Sequence, residues 1–214
     1  DWSHGFRLGL GYRLPYDGWE LGVTYQRVDA DSDRTIRADT TGSQQYLYAP
    51  FFATRAAIAR AEQDQELGVL NLELGRKSKF SEQVSFRIFG GPSIVWLEDR
   101  DKFQYWGDGN VTTFAAFDGI NQGGYYKRTS DSMFYGIRAG VDGELKFGGV
   151  NSLGLSLYGK GAVSLLTGEQ EHKVFQATDA AGAGSGTFAA SEIFQDTTSR
   201  SHQIVPAFEL EAGV

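Results

Sequence analysis

The chain has 214 residues, with 28 glycines, 4 prolines, no cysteine and a formal charge of −7. The lack of cysteine removes disulfide scaffolds, thiolate metal sites and cysteine nucleophiles. The acidic balance argues against a nucleic-acid partner, which needs clustered Lys and Arg. The sequence offers no apolar run of about eighteen residues for a helical membrane span.

The length suits a single β domain spanning 1–214, and glycine far in excess of proline favours a twisted sheet. Asp1 opens no basic, apolar or cleavage-site pattern, so any encoded leader is expected to have been removed already.

Seven stretches alternate apolar and polar residues with a period of two, the mark of β-strands with one face in each environment. The first, Gly5 to Arg13, sets Phe6, Leu8, Leu10 and Tyr12 against Arg7, Gly9, Gly11 and Arg13. The turn signal Leu14-Pro15-Tyr16-Asp17-Gly18 then leads to Trp19, Leu21, Val23 and Tyr25, opposed by Glu20, Gly22, Thr24 and Gln26, which predicts a hairpin. A third strand, Glu66 to Gly75, places Leu70, Leu72 and Leu74 opposite Asn71 and Glu73. The polar turn Arg76-Lys77-Ser78-Lys79 joins it to the stripe Val84, Phe86, Ile88, Gly90, Pro92, Ile94, Trp96.

The fifth strand, Met133 to Phe147, carries Tyr135, Ile137, Ala139, Val141 and Leu145 on one face and Arg138, Asp142, Glu144 and Lys146 on the other. Gly148 to Asn151 turns the chain into a sixth strand with Leu153, Leu155, Leu157, Val163 and Leu165 against Ser156, Tyr158, Lys160 and Ser164. A seventh begins at about His202 with Ile204, Pro206, Phe208, Leu210 and Ala212. Pro92 and Pro206 cannot donate to a ladder, so each is expected to mark a bulge or an unpaired position.

Sandwich strands usually run five or six residues, whereas about ten tilted residues cross a bilayer. The fold expected is therefore all-β, an antiparallel transmembrane β-barrel with short periplasmic turns and long outer loops at about 28–64, 98–131 and 167–200. Those regions hold most of the net charge: five basic and six acidic residues from Arg27 to Asp64, four and six from Glu98 to Asp131, two and five from Thr167 to Arg200.

Short turns facing the periplasm make the first strand run downward, and the alternation is still in progress at Val214. The seven visible strands are thus expected to be part of a barrel of roughly eight to twelve, incomplete at both ends. Aromatic residues stand near the stripe ends: Tyr12, Trp19, Phe80 and Phe147 beside the turns, Trp96 and Tyr135 beside the loops. They read as membrane-interface girdles or as ordinary strand aromatics.

Gly5-Phe6-Arg7-Leu8-Gly9-Leu10-Gly11-Tyr12 followed by Leu14 to Trp19 resembles the start of the Legionella-type major outer membrane protein family of pore-forming barrels. Phe89-Gly90-Gly91-Pro92 through Trp96, Tyr135 to Gly140, and Leu155 to Gly159 are similar to the same family. The resemblance implies a surface porin of the Gram-negative outer membrane; adhesion is ascribed to some members.

The polar faces supply candidate pore-lining residues: Arg7, Arg13, Arg87, Arg138, Lys146 and Lys160 against Glu20, Glu73, Asp142, Glu144, Glu209 and Glu211. Balanced charge across a narrow pore predicts weak selectivity, with acidic loops adding a mild cation preference. The same charges can instead pair and plug a small barrel.

Asp29-Ala30-Asp31-Ser32-Asp33 spaces carboxylates as calcium loops do, but Arg34 and Thr40 occupy the positions of the required glycine and glutamate, which rejects an EF-hand. Pro50 to Gln65 is helix-prone and reads as a constriction or a surface helix. Gly182 to Gly186 reads as a loop tip rather than a phosphate cradle. His202 beside Ser199 and Ser201 raises the weaker option of a lipid hydrolase, without a well-spaced orienting carboxylate.

No catalytic residue, metal ligand or cofactor is assigned. The expected partners are outer-membrane lipid and lipopolysaccharide, with a homo-oligomer or a surface-layer partner also open. A soluble lipocalin-like barrel requires the apolar face to point inward, and alternation alone does not say which face does.

Overall fold

The computed structural model describes residues 2–15, 17–37, 47–48, 55–56, 58–106, 123–147, 155–179 and 190–214. Nine strands appear among them: β1 (Trp2–Arg13), β2 (Trp19–Arg37), β3 (Leu47–Tyr48), β4 (Arg55–Ala56), β5 (Ile58–Lys79), β6 (Val84–Trp106), β7 (Gly123–Phe147), β8 (Leu155–Asp179) and β9 (Ala190–Gly213). β3 and β4 pair only with each other. The other seven form one antiparallel sheet in the order β1-β2-β5-β6-β7-β8-β9, with no helix among the described residues. Every sheet neighbour is next in sequence apart from the β3/β4 ribbon, so the sheet is a meander.

The β1/β2 hairpin closes through Asp17 and Gly18 at φ 48° and 73°, the two positive values a tight Asp-Gly turn requires. Leu14 N–H donates to the Trp19 carbonyl at 2.9 Å, and Lys77 N–H donates to that of Gly18, tying the next turn to this one. The β5/β6 connection, residues 80–83, is held by Ser81 Oγ accepting from Gln83 and Val84 N–H. The Gly148 to Asn151 turn and the Gly182 to Gly186 tract lie outside the described residues.

The sheet curls so that its polar face is concave. Asn71, Glu73, Ser93, Arg138 and Lys160 are buried, while Leu10 and Leu210 on the opposite face are 81% and 90% exposed. The lipocalin arrangement is thereby reversed: apolar residues point outward and charges inward. On β7 the outward apolar stripe from Met133 to Phe147 rises roughly 35 Å, at about 3.4 Å per residue and a tilt of about 45°, enough to cross a hydrocarbon core.

Tight curvature crowds the inner face, and glycine relieves it. A Cβ on Gly136 would fall 2.0 Å from the Leu165 carbonyl oxygen of β8. No side chain fits there without moving the partner strand.

Three expectations change. The long connections are shorter than 28–64, 98–131 and 167–200, because β2, β5, β6, β7, β8 and β9 run well into those ranges. Once strands rise above the apolar band both faces become polar, so the hydrophobic alternation fades while the backbone ladder continues. For the same reason Asp29 to Asp33 lies in β2 rather than in a loop.

The helix expected within 50–65 is strand from Ile58 onward, with Ala59 opposite Ile36 and Ala61 opposite Arg34. Ladder pairing overrides the helix propensity of alanine; the segment 50–54 lies outside the described residues. Pairing between β5 and β6 skips Gly91 and Pro92, as a missing donor dictates. Pro206, however, keeps register with Leu165, and the β8/β9 irregularities fall at Gln176/Ala177 and Thr178/Asp179 instead. β9 is an edge strand, where proline is tolerated.

Candidate functional site

The concave face is layered along the strands. Near the turns, Arg13 bonds Glu20 at 2.8 Å, Lys77 lies 3.8 Å from Glu144, and Lys146 lies 3.7 Å from Glu144. Lys146 and Arg13 are largely exposed at this mouth.

Above them sits the densest layer. Arg87 bridges Glu73 at 3.2 Å and Asp142 at 2.7 Å. Arg138 reaches Glu209 at 2.6 Å and Glu73 at 3.7 Å, and Lys160 reaches the same two carboxylates at 3.5 and 3.7 Å. Arg7 joins from β1, 2.7 Å from Glu211 and 3.6 Å from Glu209. Four cations and four carboxylates thus interlock between β1, β5, β6, β7, β8 and β9. The Arg7 contact shows that the curl brings the two edge strands within side-chain reach.

Phe89 lies at the centre of this layer. The Arg87 and Arg138 guanidiniums and the Lys160 ammonium stand 5.0, 5.7 and 5.1 Å from its ring centroid, within cation–π range. Gly140 makes room for the ring, since a Cβ there would lie 2.5 Å from Phe89 Cζ. Beside the layer a cavity of about 580 Å³ is lined by Arg7, Arg13, Glu20, Arg87, Tyr158 and Glu211 among others.

Higher still the face becomes neutral. Ser93 Oγ donates to Asn71 Oδ1 at 2.7 Å, and Asn71 Nδ2 donates to Thr24 Oγ1 at 3.3 Å. Phe134 and Leu166 are buried at about this height. Gln170 then donates to Ser130 and accepts from Gln203. Near the upper end Arg128 pairs with Asp99 at 3.1 Å and Asp101 at 2.6 Å. Burial, reinforced by Asp99, holds the Asp101 carboxyl above its ordinary range against the pull of Arg128.

All twelve candidate charges fall on this face: Arg7, Arg13, Glu20, Glu73, Arg87, Arg138, Asp142, Glu144, Lys146, Lys160, Glu209 and Glu211. Eight of them, with Asp142, Glu73, Glu209 and Glu211 as the anions, meet in the layer around Phe89, and Arg13, Glu20, Glu144 and Lys146 stand at the turn end. Sequence reasoning missed Phe89, Phe134 and Leu166, apolar residues on the polar parity. Their position in the period-two count was the available signal.

On the convex face Tyr12, Trp19, Phe80 and Phe147 are exposed at the turn end. Trp96 and Tyr135 are well inside β6 and β7 rather than beside loops, at the height where Glu98 and Asp131 begin a charged stripe. Tyr25 meets Phe6 of the neighbouring β1 edge-on at 5.7 Å, and Trp96 stacks on Tyr25 at 5.9 Å by reaching from β6 over Gly68 of β5, an aromatic layer from β1 to β6.

The His202 option loses its geometry. Adjacent strand residues point to opposite faces, so Ser201 and His202 diverge. His202 Nε2 instead lies 2.9 Å from Thr167 Oγ1, and Ser201 Oγ accepts from Gln203. Among the described residues no cluster of His, Asp and Glu is arranged to hold a metal ion.

Long antiparallel strands, a lipid-compatible convex face and a charged concave face define the class of outer-membrane β-proteins. The family model described as the Legionella pneumophila major outer membrane protein precursor matches residues 1–214, and the chain belongs to that family. Its place is accordingly the bacterial outer membrane. No curated protein and no solved structure matches the chain.

Proposed function

We propose that the sheet is the wall of a closed barrel that lets small polar solutes and ions diffuse passively across the Gram-negative outer membrane, with weak selectivity and no catalytic role. The observation that carries this reading is the sorting of the two faces: a water-compatible charged interior inside an apolar exterior. Four cations balanced by four carboxylates in the central layer leave no strong field for either ion sign.

Strand direction supports closure. β1 and β9 both run toward the short turns, and an exposed edge in lipid leaves backbone groups without partners. One further strand running the other way would pair antiparallel with both and complete an eight-stranded barrel, within the even-numbered range. Arg138 reaches Glu209 across β8, so the Arg7–Glu211 contact is of a kind that can also be made across one intervening strand. Lipopolysaccharide is the proposed outer partner, facing the charged stripe above Trp96 and Tyr135.

A non-conducting surface scaffold is the second reading. It is favoured by the Lys160–Glu73 contact, which reaches from β8 to β5 across the concave face. Single-channel recording in a planar bilayer separates the two. Small ohmic steps are expected; silence from protein shown to be folded would establish the scaffold.

A further inference from the structure

We propose that Glu73, Arg138, Lys160 and Glu209, held over the Phe89 ring, form a hydrated selectivity filter. This rests on the conducting reading above and deepens it. The four groups alternate in sign around a closed circuit from β5, β7, β8 and β9. Three of its four sides measure 3.5 to 3.7 Å, too long for direct hydrogen bonds.

Glu73 Oε1, Glu209 Oε1 and Arg138 Nε are buried and have no hydrogen-bond partner in the protein, whereas Arg138 Nη2 is held by Glu209 Oε2 at 2.6 Å. Buried polar atoms are satisfied as a rule, and contacts of this length are commonly bridged by water. Water therefore completes the circuit, and a permeating ion replaces it.

Phe89 fixes the geometry. Its ring is 3% exposed and holds Arg138 and Lys160 by cation–π contact, which keeps both cations from folding back onto the wall. Other layers lack one of these properties. Arg13 is mostly exposed at the mouth, and the Thr24, Asn71 and Ser93 layer carries no charge. An ion thus meets buried, paired charge of both signs at the level of Glu73 and Arg138.

The test is the reversal potential under a potassium chloride gradient, measured on the full-length protein. Wild type is expected to pass both ions nearly equally. Glu73→Gln and Glu209→Gln shift the permeability ratio toward chloride, and Arg138→Gln and Lys160→Gln shift it toward potassium. Each ratio shifts about sevenfold, because one unit charge about 7 Å from the path favours one ion and disfavours the other by a little under threefold each in water-like screening.

Folding of every variant is checked by heat-modifiable gel mobility. Glu209 is about a third exposed and so provides a milder companion to the buried Glu73. Conducting variants whose ratios stay at the wild-type value, or move with the wrong sign, would overturn the filter. So would a shift of equal size from Glu20→Gln, which would place selectivity at the mouth. Silence from folded wild type is a distinct result: it removes the conducting reading itself, and the filter with it.

Discussion

Replacing Gly140 with alanine tests whether the Phe89 layer is packed as described. The new methyl would lie 2.5 Å from Phe89 Cζ, 2.5 Å from the Gly161 carbonyl oxygen and 2.9 Å from Ala162 Cβ. Carbon contacts settle at about 3.5–4.0 Å, so the ring must retreat by more than about 1 Å. Overpacking of this kind costs about 1–3 kcal/mol. Pulling the ring from beneath Arg87, Arg138 and Lys160 forfeits cation–π contacts of roughly 0.5–1 kcal/mol each.

A total of about 2.5–6 kcal/mol is therefore expected, a large part of the ~5–15 kcal/mol typical of a folded domain. The assay is urea unfolding of detergent-refolded protein, followed by the fluorescence of its 4 tryptophans. In Gly140→Ala/Phe89→Ala the ring clash disappears, so the double variant should be at least about 1 kcal/mol more stable than the sum of the single effects predicts. A Gly140→Ala cost below about 0.5 kcal/mol, or strict additivity with Phe89→Ala, would refute the packing argument.

Other consequences can be read directly. The chain has no cysteine of its own, so Arg7→Cys with Glu211→Cys reports strand order cleanly in the full-length protein. If one strand separates β9 from β1, a bis-maleimide crosslinker of about 10 Å should bridge the pair, while oxidation should give no disulfide, which needs Cα atoms within about 7 Å. Direct disulfide formation would put β1 against β9 and end the eight-strand proposal. Above the membrane band, hydrogen bonds from Lys173, and then Arg200, lower the Glu171 pKa below its ordinary 4.5. The stabilisation from a lowered carboxylate is present above the unfolded value and is lost as pH falls through the folded one. Carboxyl NMR should therefore show Glu171 titrating below about 4.5, with Lys173→Gln moving it upward; an unmoved titration would remove the contact from the account.

Much of the architecture was legible because a strand with one face in lipid and one in water must alternate. The stripes from Phe6 to Tyr12, Trp19 to Tyr25 and Met133 to Phe147 gave strand identity and pairing, and Asp17-Gly18 gave the first turn. The alternation also placed all twelve candidate charges on one face, since period two leaves each residue only two directions. Strand ends were not legible in the same way. Above Trp96 and Tyr135 both faces are polar, so β6 to Trp106 and β7 from Gly123 carry no hydrophobic signal, and the alanines before Gln65 imitate a helix.

What the sequence determined by itself was the class: an antiparallel β-protein with an apolar and a charged face, resembling the outer-membrane family to which the chain belongs. Only tertiary structure decided which face is concave, because alternation is symmetric and the direction of curl is not. It also decided which charges meet. Glu73 and Arg138 are 65 positions apart, and a residue's height on a tilted strand depends on the register of every strand between. Phe89 is the clearest case: read alone it is one more aromatic in a strand, and only the curl, with Gly140 opposite, sets it beneath Arg87, Arg138 and Lys160.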